Sequence, residues 1–171
     1  DYTINYFKNL KIKYSKGNER KTEIKIFESI DAKKVVVASK KLYMNKEDGF
    51  IGTAMRKDEF VCDCSDIDDI IIFRKDGTMK VVRVDSKVFV GKDIIYCSVF
   101  KRKDDRTIYN MIYKDGKTAN TMMKRFPVSS ITRNKEYILT KSPTGSKVLY
   151  FTANPNGEAE IVIVYLRKLA K

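Results

Sequence analysis

The residues able to do chemistry sort quickly. The chain has 35 Lys and Arg, 22 Asp and Glu, three Cys and no His. Without histidine, the commonest general acid/base, the Ser-His-Asp and Cys-His arrangements and the commonest zinc ligand are all excluded. No Walker-type loop and no GxGxxG opens a helix. The stretch "CDCSDIDD", residues 62–69, could hold a divalent cation, because carboxylates are hard oxygen ligands. It lacks the EF-hand spacing and glycine, and aspartates between strands serve turns for backbone reasons. No metal is assigned there. In "EFVCDCS" the alternation of a strand puts Cys62 and Cys64 on one face with Phe60, and with neither CxxC nor His the pair reads as core. Three cysteines cannot form a complete disulfide set, which fits a reducing, cytoplasmic setting. Nothing supports a free-standing enzyme, and no cofactor is expected.

The basic residues are the better lead. A formal charge of +13 and a pI near 9.6 point to a polyanionic partner, most simply nucleic acid. They sit at hairpin turns and strand ends: Lys40, Lys41, Arg74, Lys75, Lys80, Arg83, Lys101, Arg102, Lys103, Arg106, Lys114, Lys117, Lys124 and Arg125. Presented at equivalent places in a repeat, they would draw a basic stripe able to follow a phosphate backbone without reading sequence. A lysine on an edge hairpin also guards against sheet-to-sheet aggregation. The competing readings are a propeller-like protein-interaction module, its charge serving solubility, and a magnesium-dependent nuclease using the carboxylates of 63–69.

Short strands must position these residues. From about residue 24, runs of Val, Ile, Tyr and Phe are bounded by Gly, Asp, Asn, Ser or Pro. "IIIF" (70–73), "VVVA" (35–38) and "IVIVYL" (161–166) do not alternate, as expected of strands covered on both faces. The runs predict repeating units. One is Phe60–Cys64, Ile70–Arg74 and Thr78–Val84; the next is Ile94–Phe100, Thr107–Tyr113 and Thr118–Phe126. A third is Glu136–Thr140, Lys147–Thr152 and Glu158–Leu166, and a looser first is Ile24–Phe27, Lys34–Ala38 and Lys41–Asn45. "KDG" recurs at 75–77 and 114–116, where Asp-Gly suits the positive φ of tight hairpins. The second turns begin near residues 39, 75, 114 and 154, a period of about 40, which is propeller-like. An ordinary β-sandwich is the alternative. Residues 1–22 differ: Tyr6, Phe7, Leu10 and Tyr14 recur at helical spacing and Gly17 offers a stop. They predict a helical lead-in or linker, with the β domain over 23–171. No run approaches a membrane span and no signal peptide is visible. The chain starts at Asp1 without Met, and is expected to be a piece of something longer.

Residues "DIDDIIIFRKDGTMKVVRV" (66–84) resemble the blade repeat of the C-terminal domain of bacterial type IIA topoisomerase A subunits, of DNA gyrase and topoisomerase IV. "AKKVVVASKKLYMNKEDGFIGT" (32–53) resembles that family's first blade, and "YFKNLKIKYSKGNERKTEIKIFESI" (6–30) the segment leaving the DNA-cleavage core. The resemblance implies an all-β β-pinwheel, a propeller-like disc whose blades exchange strands; the four blades of three to four strands read from the repeats are fewer than that family's usual five or six, and an incomplete disc, an open arc, is expected. It implies a non-catalytic domain that bends or guides double-stranded DNA around its rim, with little sequence preference. Its partners would be the B subunit, together with the remaining domains of its own polypeptide, in a bacterial cytoplasm. ATP, magnesium and the catalytic tyrosine would belong elsewhere in the holoenzyme, and no tyrosine here is assigned as nucleophile. Gyrase A subunits carry a Q-R-R-G-G-x-G box after the first blade hairpin. Here that place reads "KEDGFIGTAMRKDEF" (46–60), which keeps Gly49 and Gly52 without the paired arginines. The resemblance therefore tilts toward topoisomerase IV.

Overall fold

The computed structural model describes residues 1–17, 40–55 and 57–165. The chain divides into two compact units, 1–31 and 32–171. The expected boundary at 22/23, and the expected strands 24–27 and 34–38, lie outside the described residues.

In the first unit, helix α1 spans Tyr2–Tyr14. Lys11 and Lys13 in its last turn oppose the negative end of the helix dipole. The Ser15 N–H closes on the Lys11 carbonyl at 2.9 Å, and Gly17 departs at φ +85°. No helix residue is buried; Tyr2 stacks on Tyr6 at 6.4 Å, and Phe7 meets Tyr6 edge-on at 5.6 Å.

The second unit is built of strands β1 (Lys40–Asn45), β2 (Phe50–Gly52), β3 (Glu59–Cys64), β4 (Asp69–Arg74), β5 (Thr78–Arg83), β6 (Val88–Phe89), β7 (Ile94–Phe100), β8 (Ile108–Lys114), β9 (Thr121–Pro127), β10 (Glu136–Ile138) and β11 (Lys147–Asn154). They form three antiparallel sheets, ordered β3-β1-β2-β6, β10-β5-β4-β7 and β11-β8-β9.

These pairings correct the expected units. Each sheet is built on a hairpin: β1-β2, β4-β5 and β8-β9. In the first two sheets the strand that was expected to open the next unit pairs backwards, β3 with β1 and β7 with β4; β11, expected as the middle strand of the third unit, likewise pairs back with β8. The link 65–68 is therefore a passage between sheets rather than a hairpin. Its turn is set by the Ser65 N–H donating to Asp68 Oδ2 at 2.8 Å. The short strands travel further. β6 joins β2 past the whole β4-β5 hairpin, and β10 joins β5 past β8-β9. The same backbone bonds lock each exchange. Val90 N–H donates to the Gly49 carbonyl, as Leu139 N–H does to Gly77, both at 2.9 Å. Ile94 N–H donates to Lys46 at 3.2 Å, as Val148 N–H does to Lys75 at 2.8 Å. The repeat is real, but its unit is an exchanged sheet.

The third expected unit changes most. Glu136–Ile138 closes the second sheet, and Lys147–Asn154 closes the third. Residues 158–165 carry no ladder; a single 3₁₀ turn, Pro155–Gly157, precedes them. β11 takes β8 as its partner because that pairing packs Val148, Phe151 and Ala153 against the second and third sheets.

The core explains the unalternating "IIIF". Asp69 to Phe73 are all buried. Ile70 and Ile72 enter one cluster with Leu42, Met44, Ile51 and Cys64, while Ile71 and Phe73 enter another with Val81, Phe100 and Tyr109. The second sheet is thus sandwiched, and each of these aliphatic or aromatic side chains contributes roughly 1.5–3 kcal/mol on burial. Cys64 and Cys62 pack in the first cluster as expected. Phe60 does not follow them. The ladder shifts between Leu42 and Tyr43, leaving Val61 unmatched, and Phe60 meets Tyr43 edge-on at 6.0 Å, half exposed.

Candidate nucleic-acid interface

The two "KDG" turns share letters but not conformation. At 75–77 the loop is three residues and Gly77 sits at φ +81°. Asp76 Oδ1 accepts the Thr78 N–H at 2.9 Å and the Thr78 hydroxyl at 2.6 Å. At 114–116 the loop runs on to Thr121, and Ala119, at φ 58°, takes the left-handed conformation instead of Gly116. Gly116 is there for space: an added Cβ would overlap the Thr144 carbonyl. Asp115 is buried and saturated. It accepts the Thr118 N–H at 3.0 Å, the Thr118 hydroxyl at 2.8 Å and the Ser142 N–H at 2.9 Å. Hydrogen bonding, first from the Thr118 backbone, holds its carboxyl down at about 2.

Both turns present lysines, and backbone bonds run the hairpin ends together. The Lys75 N–H donates to Asp93 at 2.9 Å, and the Lys75 carbonyl accepts from Val148. Lys147 in turn stands opposite Lys114 in the β11-β8 ladder. Lys75, Lys147 and Lys114 therefore succeed one another along the turn end of the second and third sheets. All three are exposed, as is Lys117.

The opposite end of these sheets carries a second basic group. After β7 come Lys101, Arg102, Lys103 and Arg106, and of these Lys101, Arg102, Lys103 and Arg106 are all exposed. Asp104 shapes their loop by accepting the Arg106 N–H at 3.0 Å and the Thr107 hydroxyl at 2.7 Å, and these bonds lower its pKa, the Thr107 hydroxyl foremost. The Lys103 N–H reaches Ser129 at 2.9 Å and ties this loop to the segment before β10. There Arg133 approaches the fully buried Asp69, Nε to Oδ1 at 2.8 Å, and Arg102 Nη2 approaches Oδ2 at 3.4 Å. Arg133 was absent from the expected set. The signal for it was Asp69 itself: a carboxylate opening a strand buried on both faces needs cationic partners.

The other expected residues are more occupied. Arg74 is largely buried, bonds Thr78 Oγ1 at 2.6 Å and pairs with Asp76 and Glu136. Lys124 donates to the Leu139 carbonyl at 2.7 Å and lies over the Phe126 ring; burial lowers its pKa. Arg125 donates to the Gly157 carbonyl at 2.6 Å. Lys40 pairs with Asp66 at 3.0 Å, Arg83 donates to the Asp66 carbonyl at 3.3 Å, and Lys41 lies over Phe60 at 5.7 Å. Lys80 is half-buried opposite Glu136. That leaves Lys75, Lys101, Lys103, Arg106, Lys114 and Lys117 exposed, with no ion pair among the described residues.

The acidic stretch is likewise dispersed. Asp66 faces Lys40, Asp68 sets its turn and Asp69 faces two arginines. Among the described residues no three His, Cys, Asp or Glu side chains gather as a metal site.

No solved structure matches the chain. The A subunit of DNA topoisomerase 4 from Borreliella burgdorferi is 29% identical over 137 residues, covering 80% of this chain. The chain spans 22% of that relative's length. Residues 41–171 match the family described as "Topoisomerase C-terminal domain, Bacteroidota", which takes in all three sheets, and the chain belongs to this topoisomerase C-terminal domain family.

Proposed function

We propose that this chain is a non-catalytic, duplex-DNA-binding module of a topoisomerase IV-like A subunit. It guides or bends one DNA segment for strand passage, reading phosphates rather than bases. Its protein partners are the B subunit, together with the remaining domains of its own polypeptide. ATP, magnesium and the catalytic tyrosine reside in those parts, in a bacterial cytoplasm. The exchanged sheets support a β-pinwheel, each sheet being a blade that lends a strand to the one before.

One observation carries the DNA reading. Six exposed cations of the expected set stand at the two ends of adjacent sheets with no ion pair among the described residues, in a chain of charge +13 that belongs to a topoisomerase family. Repeated lysine and arginine contacts of this kind supply sequence-independent affinity.

The topoisomerase IV assignment draws on the altered box. Gly49 and Gly52, the two glycines kept, are accounted for by packing. A Cβ on Gly49 would overlap the Gly91 backbone, and one on Gly52 the Ser86 carbonyl. Both serve close passage of the exchanged segment 86–91 and leave gyrase-type wrapping without its arginines.

The test is a topology assay on the whole enzyme with and without this domain. Loss of DNA relaxation or decatenation on deletion, with no ATP-driven negative supercoiling by the intact enzyme, is the expected result. Activity indifferent to the deletion would overturn the guiding role, and negative supercoiling the topoisomerase IV assignment.

A further inference from the structure

Asp69 is out of contact with solvent, yet its partners are not. The Arg102 and Arg133 side chains are 52% and 42% exposed. Each carboxylate oxygen faces one guanidinium, and neither contact has the alignment of a hydrogen bond, so charge holds them. The two arginines come from separate loops. The Lys103 N–H bond to Ser129 ties those loops together, and the Asn134 N–H bond to Val81, 2.8 Å, ties the second to β5. Lys103 and Asn134 both turn at positive φ, 60° and 62°, immediately after each arginine.

A guanidinium carries five N–H donors. Here each places one nitrogen on Asp69, and the rest have no partner among the described residues. One anion against two cations leaves a net positive pair. Lys101, Lys103 and Arg106 flank Arg102, and Lys135 lies two residues beyond Arg133. Of the nearby acids, Asp104 is taken up by its own turn, and Asp105 is exposed. A pair of half-exposed, pre-oriented guanidinium forks suits the planar, bidentate recognition of phosphate oxygens.

We propose that Asp69 positions Arg102 and Arg133 as a phosphate clamp for one stretch of phosphodiester backbone. Asp69 is a positioning residue and does not touch the ligand. The clamp rests on the DNA-binding reading above and goes further, in assigning a contact to a buried acid.

The clamp reverses the sign of a simple charge argument. Asp69→Asn removes an anion from a basic surface, so charge alone predicts tighter duplex binding. The clamp predicts weaker binding, because both arginines lose their anchor. The experiment titrates the full chain with a sequence-random DNA duplex of about 25 base pairs at several salt concentrations. Wild type, D69N and R102K/R133K are compared, with folding followed by circular dichroism. D69N is expected to bind about fivefold to tenfold more weakly. R102K/R133K keeps the charge and the carboxylate's pairing but loses the forks. It is expected to weaken binding by a similar factor with a salt slope changed by less than about 0.5, since slope follows the number of neutralised phosphates. Folded D69N binding as tightly as wild type, or tighter, would overturn the clamp and leave the DNA reading standing. Should D69N not fold, R102K/R133K decides: weaker binding supports the clamp, and unchanged affinity overturns it. Wild-type chain without salt-dependent binding would overturn the DNA reading itself, and the clamp with it.

Discussion

Phe73 joins the second sheet to the third, and its removal gives the sharpest stability prediction. The side chain is 1% exposed. Its ring lies 4.5 Å from that of Phe151, 4.8 Å from Tyr109, 6.0 Å from Tyr96 and 6.5 Å from Phe126. Phe→Ala in a core costs about 3–5 kcal/mol, as lost transfer energy plus the cavity left behind. The upper half of that range is expected, because aromatic pairs add about 0.5–1.5 kcal/mol each beyond their buried area. A domain of this size loses roughly 2–4 °C of melting temperature per kcal/mol, so Phe73→Ala should lower Tm by about 8–20 °C. Urea unfolding followed by tyrosine fluorescence suits the assay, as the chain has ten Tyr and no Trp. A double-mutant cycle with Phe151 should show coupling of about 0.5–1.5 kcal/mol or more. Phe60→Ala, on a half-exposed ring, serves as control and should cost under about 1.5 kcal/mol. A loss below about 1.5 kcal/mol for Phe73→Ala, or no coupling to Phe151, would refute the claim that this cluster welds the two sheets.

Other expectations follow from single sites. Gly77→Ala places a Cβ against the Thr140 methyl at φ +81°, and should cost about 2–3 kcal/mol in urea titrations, part of it regained with Thr140→Ser. The Asp115 carboxyl, held at about 2 against roughly 3.9 when unfolded, contributes stability above about pH 4 that is lost as pH falls through 2. Unfolding midpoints measured from pH 5 to 2 should therefore decline less steeply in Asp115→Asn than in the wild type. Burial pushes the Cys64 thiol up to about 11 and that of Cys97 up to about 12, so at pH 8 both stay protonated. A thiol-specific dye should leave these two unlabelled in the folded chain and label all three cysteines in denaturant.

Local features of this fold were legible in the sequence where local chemistry decides them. The unbroken "IIIF" announced a strand covered on both faces, and Ile70 to Phe73 divide between two cores. Asp76-Gly77 announced a tight hairpin, and Gly77 has the positive φ it requires. Partner choice was not legible, because β6 and β10 cross whole hairpins to find β2 and β5. No alternation pattern encodes a pairing at that distance. Gly116 misled for a related reason: its neighbour, the 144–146 turn, is remote in sequence. The basic set was found as a class but not sorted. Arg74 and Lys124 have the same letters as free surface cations, yet Thr78, Glu136 and Leu139 engage them. Arg133 went unseen because its role depends on Asp69, which the sequence presents as one more turn aspartate.

The central claim is that this chain binds duplex DNA through phosphate contacts made by its unpaired cations. Duplex affinity of the intact chain, measured from about 50 to 200 mM salt, tests it most directly. Six contacts at about 0.9 each contribute about −5 to the log–log slope, a loss of about 10³-fold in affinity over that range. Neutralising Lys75, Lys101, Lys103, Arg106, Lys114 and Lys117 together should make the slope less steep by about 5, leaving about −2 for the Arg102 and Arg133 contacts, while neutralising Lys124, already engaged with Leu139, should barely move it. A slope near zero in the wild type, or one unchanged when those six are neutralised, would contradict the account.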